Sequence, residues 1–272
     1  MLGARYGLPR LTAALAFIAL AIIGAIAVTR TGPSRAPTAK NTPKIPIPGA
    51  TDRALVQPSP QLPHDLSLLT VVSRTRSLAP AYKPPDLVPI SPEFTSSLEV
   101  QQLRRPAAEA LTQMLVDSRR DGLTIKVNSA YRSYEYQGTV LRSEIAGYGC
   151  AQALLQVAAP GHSEHQLGLA ADLTSQDVAW DLSDKFGQTP EGRWLAAHAV
   201  TYGFILSYPQ GKESVTGYIS EPWHYRYVSP AVAQAIAISS KTATEYLLAM
   251  GGVADAGIEK TQAIAPAGFG CS

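Results

Sequence analysis

Cysteine is nearly absent from this 272-residue chain, which has only Cys150 and Cys271. Two cysteines cannot build a disulfide-rich scaffold, and these two lack the paired spacing of a zinc ribbon or a redox motif, so any metal must be held by other ligands. Charge is also scarce. Only 16% of residues are Asp, Glu, Lys or Arg and the formal net charge is +2, which argues against a strongly basic nucleic-acid binder. No internal repeat is found. What is present in quantity is apolar surface, 46% of residues, enough in a chain of this length to bury a sizeable core.

The averages hide a split. Residues 1–65 hold seven Lys/Arg against two acids, which leaves sixteen Lys/Arg and nineteen Asp/Glu for residues 66–272. Leu11 to Val28 carries no charge over eighteen residues and follows Arg5 and Arg10. As a helix it would reach roughly 27 Å, about one bilayer core. Residues 1–28 therefore read as a signal peptide or a membrane anchor. Ala25-Ile26-Ala27 looks like a small-x-small cleavage site, but the apolar run is longer than a usual signal core, which favours the anchor. Residues 29–65 read as a linker, because Pro33 to Pro63 holds eight of the twenty-one prolines and shows no periodicity. The folded part is expected over 66–250, with a C-terminal tail over 251–272, and it is placed outside the cytoplasm, membrane-anchored or secreted.

Within 66–250, Pro106 to Arg120 puts Ala108, Leu111, Met114, Leu115 and Ser118 on one face, a helix with Gly122 just past its end. Leu123, Ile125 and Val127 alternate with polar residues and predict a strand running into Ser129-Ala130-Tyr131-Arg132. Residues 133–146 read as a helix, 149–161 as loop and 167–173 as a strand of small residues. Helix is expected over 190–202, strands over 204–207 and 224–228, and a single closing helix from Pro230 to Met250. Helices gathered early and late around short hairpin-like strands predict an α+β domain with a small antiparallel sheet flanked by helices.

Two segments carry the chemistry. The first is Gly161-His162-Ser163-Glu164-His165-Gln166-Leu167-Gly168-Leu169-Ala170-Ala171-Asp172, the second Glu221-Pro222-Trp223-His224. A catalytic zinc site takes three protein ligands, commonly two histidines and a carboxylate, and leaves a position for water. His165, Asp172 and His224 supply that set. Spacing alone leaves His162 open as a competing ligand. A carboxylate that does not bind the metal can serve as general base, and Glu221 stands beside His224 in the position to do so.

These residues resemble the zinc D-Ala-D-Ala carboxypeptidases of the VanY type, related to the VanX-type D,D-dipeptidases. The likeness spans roughly residues 66–235. The family's Ser-x-His-x-x-Gly-x-Ala-x-Asp is matched by Ser163, His165, Gly168, Ala170 and Asp172, and its Glu-x-x-His by Glu221 and His224. An upstream Ser-x-Tyr-Arg-Ser-x-x-x-Gln is matched by Ser129, Tyr131, Arg132, Ser133 and Gln137, and the run from Leu78 to Ile90 looks like the segment that leads into the fold. The resemblance implies a hedgehog-like or D-Ala-D-Ala-peptidase-like fold. It also implies one Zn2+ on His165, Asp172 and His224, Glu221 as base, and Arg132, Gln137 and Ser163 on the substrate side. The implied activity is removal of the C-terminal D-alanine from peptidoglycan stem peptides. L,D-carboxypeptidase action on tetrapeptide stems and a silent wall-binding module are the alternatives.

Arg132 has a physical case of its own, since a guanidinium fork grips a terminal carboxylate bidentately or neutralises a developing oxyanion. The two cysteines and the tail after Met250 fall outside the family pattern. In an exported chain Cys150 and Cys271 are expected to form a disulfide that pins the tail back to the domain.

Overall fold

The computed structural model describes residues 59–251, 258–260, 269 and 271. The expected membrane segment, residues 1–28, lies outside the described residues; among these, no helix is long and apolar enough to cross a membrane. The α-helices are α1 (Arg105–Arg120), α2 (Tyr134–Tyr148), α3 (Cys150–Gln156), α4 (Pro190–His198), α5 (Glu213–Thr216), α6 (Pro230–Ser239) and α7 (Ala243–Ala249). The strands are β1 (Arg76–Leu78), β2 (Leu87–Pro89), β3 (Gln102–Arg104), β4 (Ile125–Ser129), β5 (Ala170–Ser175), β6 (Phe204–Leu206), β7 (His224–Tyr227) and β8 (Ile258–Lys260). They form an antiparallel sheet ordered β4-β5-β7-β6 and two small ladders, β1 with β8 and β2 with β3. The α+β expectation with small antiparallel sheets is met.

Helix α1 starts at a proline-bearing first turn and buries Ala107, Ala108, Leu111, Met114, Leu115 and Ser118, the face that the 3.6-residue period selects. That face joins Ile125, Val127, Leu173, Leu195 and Phe204 in the main core. Full burial of each such large side chain stabilises by about 2 kcal/mol before entropy is counted. A second cluster packs Leu69, Val71, Ile205 and Val228 against Val232, Ile236 and Leu247 of α6 and α7.

Strand β5 lies between β4 and β7 and is buried at all six positions. It begins at Ala170, later than the expected 167, and Glu164–Leu167 forms a 3-10 turn instead. Gly168 ends that turn at φ 65°, a left-handed conformation that glycine adopts without strain; a Cβ there would stand 2.8 Å from Leu87 Cδ2.

Three expectations need correction. Residues 150–156 form helix α3, not loop: no proline interrupts them, and Gly149 at φ 78° turns the chain between α2 and α3. Pro190 to Tyr202 is α4 as far as His198 and then a 3-10 turn over Ala199–Tyr202. The closing helix is two helices, broken by Ser240 at φ 58° and restarted by Thr242, whose capping box with Glu245 satisfies orphan amides at the α7 start. Upstream, Asp65, the last residue of the expected linker, caps the turn Leu66–Leu69 and pairs with buried Arg104, which also holds Asp86.

Candidate metal centre and active site

The sheet register builds the centre. Ser129 of β4 is the cross-strand partner of Asp172 on β5, and Asp172 is the partner of His224 on β7, so three side chains meet in one row across the sheet. A register shift between Val127 and Ser129 interrupts the β4 ladder just where Ser129 is aimed. His165 arrives from the 3-10 turn that precedes β5, and Ser163 caps that turn by accepting the His165 amide at 3.3 Å.

His165, Asp172 and His224 are buried, and their ligand atoms lie within 4.8 Å of one another. His165 gives Nδ1 to the Ala130 carbonyl at 2.6 Å, which leaves Nε2 facing Asp172 Oδ2 at 3.1 Å. That Nε2 is buried with no hydrogen-bond partner. An orphaned ring nitrogen is costly in a dry interior unless a cation fills the gap, so the donor set fits one zinc ion on His165 Nε2, Asp172 and His224 Nδ1. His162 lies outside this group, and its Nδ1 bonds the Ser73 carbonyl at 2.7 Å.

Charge is distributed unevenly around the row. Burial and the nearby Arg132 guanidinium push the His165 imidazole down to about 4, against the pull of Asp172, so it is neutral and ready to ligate. Burial alone would lower His224 as well, but hydrogen bonds to Asp172 and Glu164, each 3.0 Å, carry it up to about 10. Burial raises the Glu221 carboxyl to about 8, with His224 opposing and Asp172 adding to the rise. Its Oε2 stands 3.7 Å from His224 Nδ1, close to the expected ligands without a hydrogen bond to them.

The row opens into a cleft of about 520 Å³. The VanY family model, D-alanyl-D-alanine carboxypeptidase, matches residues 100–230, which include this row. A putative carboxypeptidase of Bacillus subtilis, YodJ, is 38% identical over 182 residues, covering 66% of this chain and 67% of that protein. The chain belongs to the VanY family. A mutant D,D-pentapeptidase VanY from the VanB-type vancomycin resistance cassette, solved with Zn(II), is 30% identical at TM-score 0.57 and covers 66% of this chain and 99% of its own. The LD-carboxypeptidase LdcB, solved to explain peptidoglycan recognition, is 37% identical at TM-score 0.63, with 68% and 88% covered. This VanY-family chain is a zinc metallopeptidase.

The remaining site residues fall in and around the cleft. Arg132 lines it, with Nη2 3.5 Å from Asp172 Oδ2 and a buried Nε that has no partner. Gln137 also lines it, but its amide nitrogen is committed to the Ala158 carbonyl at 2.7 Å; the amide oxygen is buried and unpartnered. Ser163 lines the cleft while capping the His165 turn, so it has a structural role whether or not it touches substrate. Cys150 and Cys271 are bonded as a disulfide.

Two supporting residues went unassigned in the sequence reading. Ser129 donates its hydroxyl to Asp172 Oδ2 and fixes the carboxylate. Glu164 lies fully buried under His224, accepting from Ser207 Oγ at 2.6 Å, from Arg226 Nη1 at 2.8 Å and bonding His224 Nε2 at 3.0 Å. Burial alone would raise its carboxyl; the Arg226 charge and these bonds hold it at about 2. Arg226 is anchored in turn by the Thr70 carbonyl. No local signal marked Glu164, which stands in a polar run between Ser163 and His165; Arg226, 62 residues away, could not be paired with it from spacing.

Proposed function

We propose that this protein is a zinc D,D-carboxypeptidase that removes the C-terminal D-alanine from peptidoglycan stem peptides. The observation that carries the reading is the buried His165-Asp172-His224 row with Glu221 standing unliganded beside it in an open cleft. The relatives named D,D-pentapeptidase and D-alanyl-D-alanine carboxypeptidase support the substrate class. When bound at the row, zinc supplies Lewis acidity that acidifies a water and polarises the scissile carbonyl. Glu221 Oε2 takes the proton of the attacking water and passes it to the departing amine. Arg132, only half engaged with Asp172, has N–H groups free for the substrate's carboxylate or the developing oxyanion.

A second reading, L,D-carboxypeptidase action on tetrapeptide stems, is favoured by the likeness to LdcB. One experiment separates them: the protein is incubated with stem pentapeptide and stem tetrapeptide, with and without a chelator, and released D-alanine is followed by mass spectrometry. The D,D reading expects chelator-sensitive release from the pentapeptide; release from the tetrapeptide alone favours the L,D reading, and chelator-insensitive release rejects both.

We place the catalytic domain outside the cytoplasm, held to the membrane by residues 1–28 through the proline-rich linker. The Cys150–Cys271 disulfide supports an oxidising compartment. Membrane fractionation of the full chain against one lacking residues 1–28 tests the tether; a full chain recovered in the soluble fraction would remove it.

A further inference from the structure

The cleft has two unlike sides. On one, the metal row sits on a sheet; on the other, α2, α3 and the segment after them contribute Tyr136, Gln137, Tyr148, Gln156, Val157 and Ala158. This second wall is thinly packed. Helix α2 buries only Gln137, Gly138 and Leu141 of its fifteen residues, and α3 only Ala153 of its seven. Such small apolar burial contributes little against the freedom the wall gains by moving.

The far end of α3 is tied to the body, through Arg74 to the Leu154 carbonyl and through the Ile219 amide to the Leu155 carbonyl at 3.0 Å. The corner between α2 and α3 is different. A Cβ on Gly147 or Gly149 would meet nothing within 4 Å, and Tyr148, which lines the cleft, is 66% exposed. The C-terminal tail reaches this corner. Cys271 bonds Cys150 across 121 residues with Cα atoms 5.6 Å apart, and the Phe269 ring sits under the Arg142 guanidinium at 5.7 Å and within 3.6 Å of a Cβ placed on Gly138. Further back, the tail's β8 pairs with β1, whose Leu78 amide donates to the Gly161 carbonyl, so the same tail braces the loop that leads to Ser163.

We propose that the C-terminal tail is a positioning element for substrate: the Cys150–Cys271 bond and Phe269 hold the α2–α3 corner in the arrangement that grips a stem peptide, and so set substrate affinity without taking part in the chemistry. This rests on reading the cleft as the substrate site. A freed corner populates the gripping arrangement for only part of the time, and apparent affinity falls by that fraction.

The test compares the full-length zinc-loaded wild type with the double variant Cys150→Ser, Cys271→Ser and with Phe269→Ala, which keeps the disulfide. Steady-state kinetics on stem pentapeptide, zinc content and amide hydrogen exchange are measured for each. Expected for the double variant is a KM raised about fivefold, kcat and zinc content unchanged, and faster exchange in 141–156 but not in β5 or β7. Phe269→Ala should move KM the same way, about twofold, and it decides the matter should the double variant fail to fold. An unchanged KM, or a fall in kcat with loss of zinc, overturns the proposal. A wild type that releases no D-alanine would instead remove the proposed function, while the exchange data separately report whether the tail orders the wall.

Discussion

The metal side of the cleft and its helical wall are held by different means. On the metal side every candidate ligand is fixed twice: His165 by its turn and the Ala130 carbonyl, Asp172 by the β5 ladder and Ser129, His224 by the β7 ladder and Glu164. The α2–α3 wall buries few side chains and is closed by a covalent bond to a distant tail. The contrast follows from what each side must do. Metal ligands must hold to within a fraction of an ångström, which backbone ladders and buried hydrogen bonds achieve, whereas a wall that admits and releases a peptide need only be returned to one arrangement.

If the metal side is the chemical one, the largest effects belong there. His224→Ala should lose both zinc and turnover, whereas Glu221→Gln should keep zinc and lower kcat by about a thousandfold. Metal analysis beside kinetics checks this pair, and an active Glu221→Gln would take the base role from that residue. If the wall depends on its covalent tie, Cys150→Ser with Cys271→Ser should cost about 5 kcal/mol of unfolding free energy, because opening a 121-residue loop frees the unfolded chain. Denaturant titration measures it; a loss near zero would make the two sides equally self-supporting.

Glu164→Gln sharpens the comparison by loosening one ligand's second bond. It should weaken zinc binding about 10- to 100-fold with Glu221 untouched, measured by competition with a chromophoric chelator. The pH dependence of that affinity tests the same ligand without a substitution. In the metal-free protein His224 keeps its proton up to about 10, so zinc must expel it, and affinity should rise about tenfold per pH unit between 7 and 9. The sign for stability is opposite. A histidine raised in the folded state contributes fully below its ordinary 6.5 and loses that contribution as pH climbs towards 10, so the metal-free fold should weaken over this range while the zinc-loaded one does not. Melting curves with and without zinc across pH 6.5–10 read this directly.

Much of the molecule was legible locally. The buried face of α1 and the sheet strands near 125, 204 and 224 follow from period and turn chemistry within short windows, while ligand type made His165, Asp172, His224 and Glu221 candidates that the fold then brings together. The break at Ser240 was missed although Thr242 and Glu245 form a capping box, because the apolar run through Pro230–Ser239 dominates the window. Helix α3 was missed because a seven-residue segment offers too little period to read. His162 and His165 could not be told apart by spacing, since both lie beside the same turn; only the fold shows the first bonded to Ser73 and the second left with an orphaned nitrogen.

By itself, the sequence determined which residue types could ligate zinc and which could move a proton. The tertiary structure decided everything that depends on partners far apart in the chain: the Ser129-Asp172-His224 row, the Glu164–Arg226 pair beneath it, and the tail's return to α2 and α3. The reason is physical. Periodicity and capping report interactions over a few residues, while strand register and the pairing of buried charges are fixed by contacts between segments whose meeting no local pattern encodes.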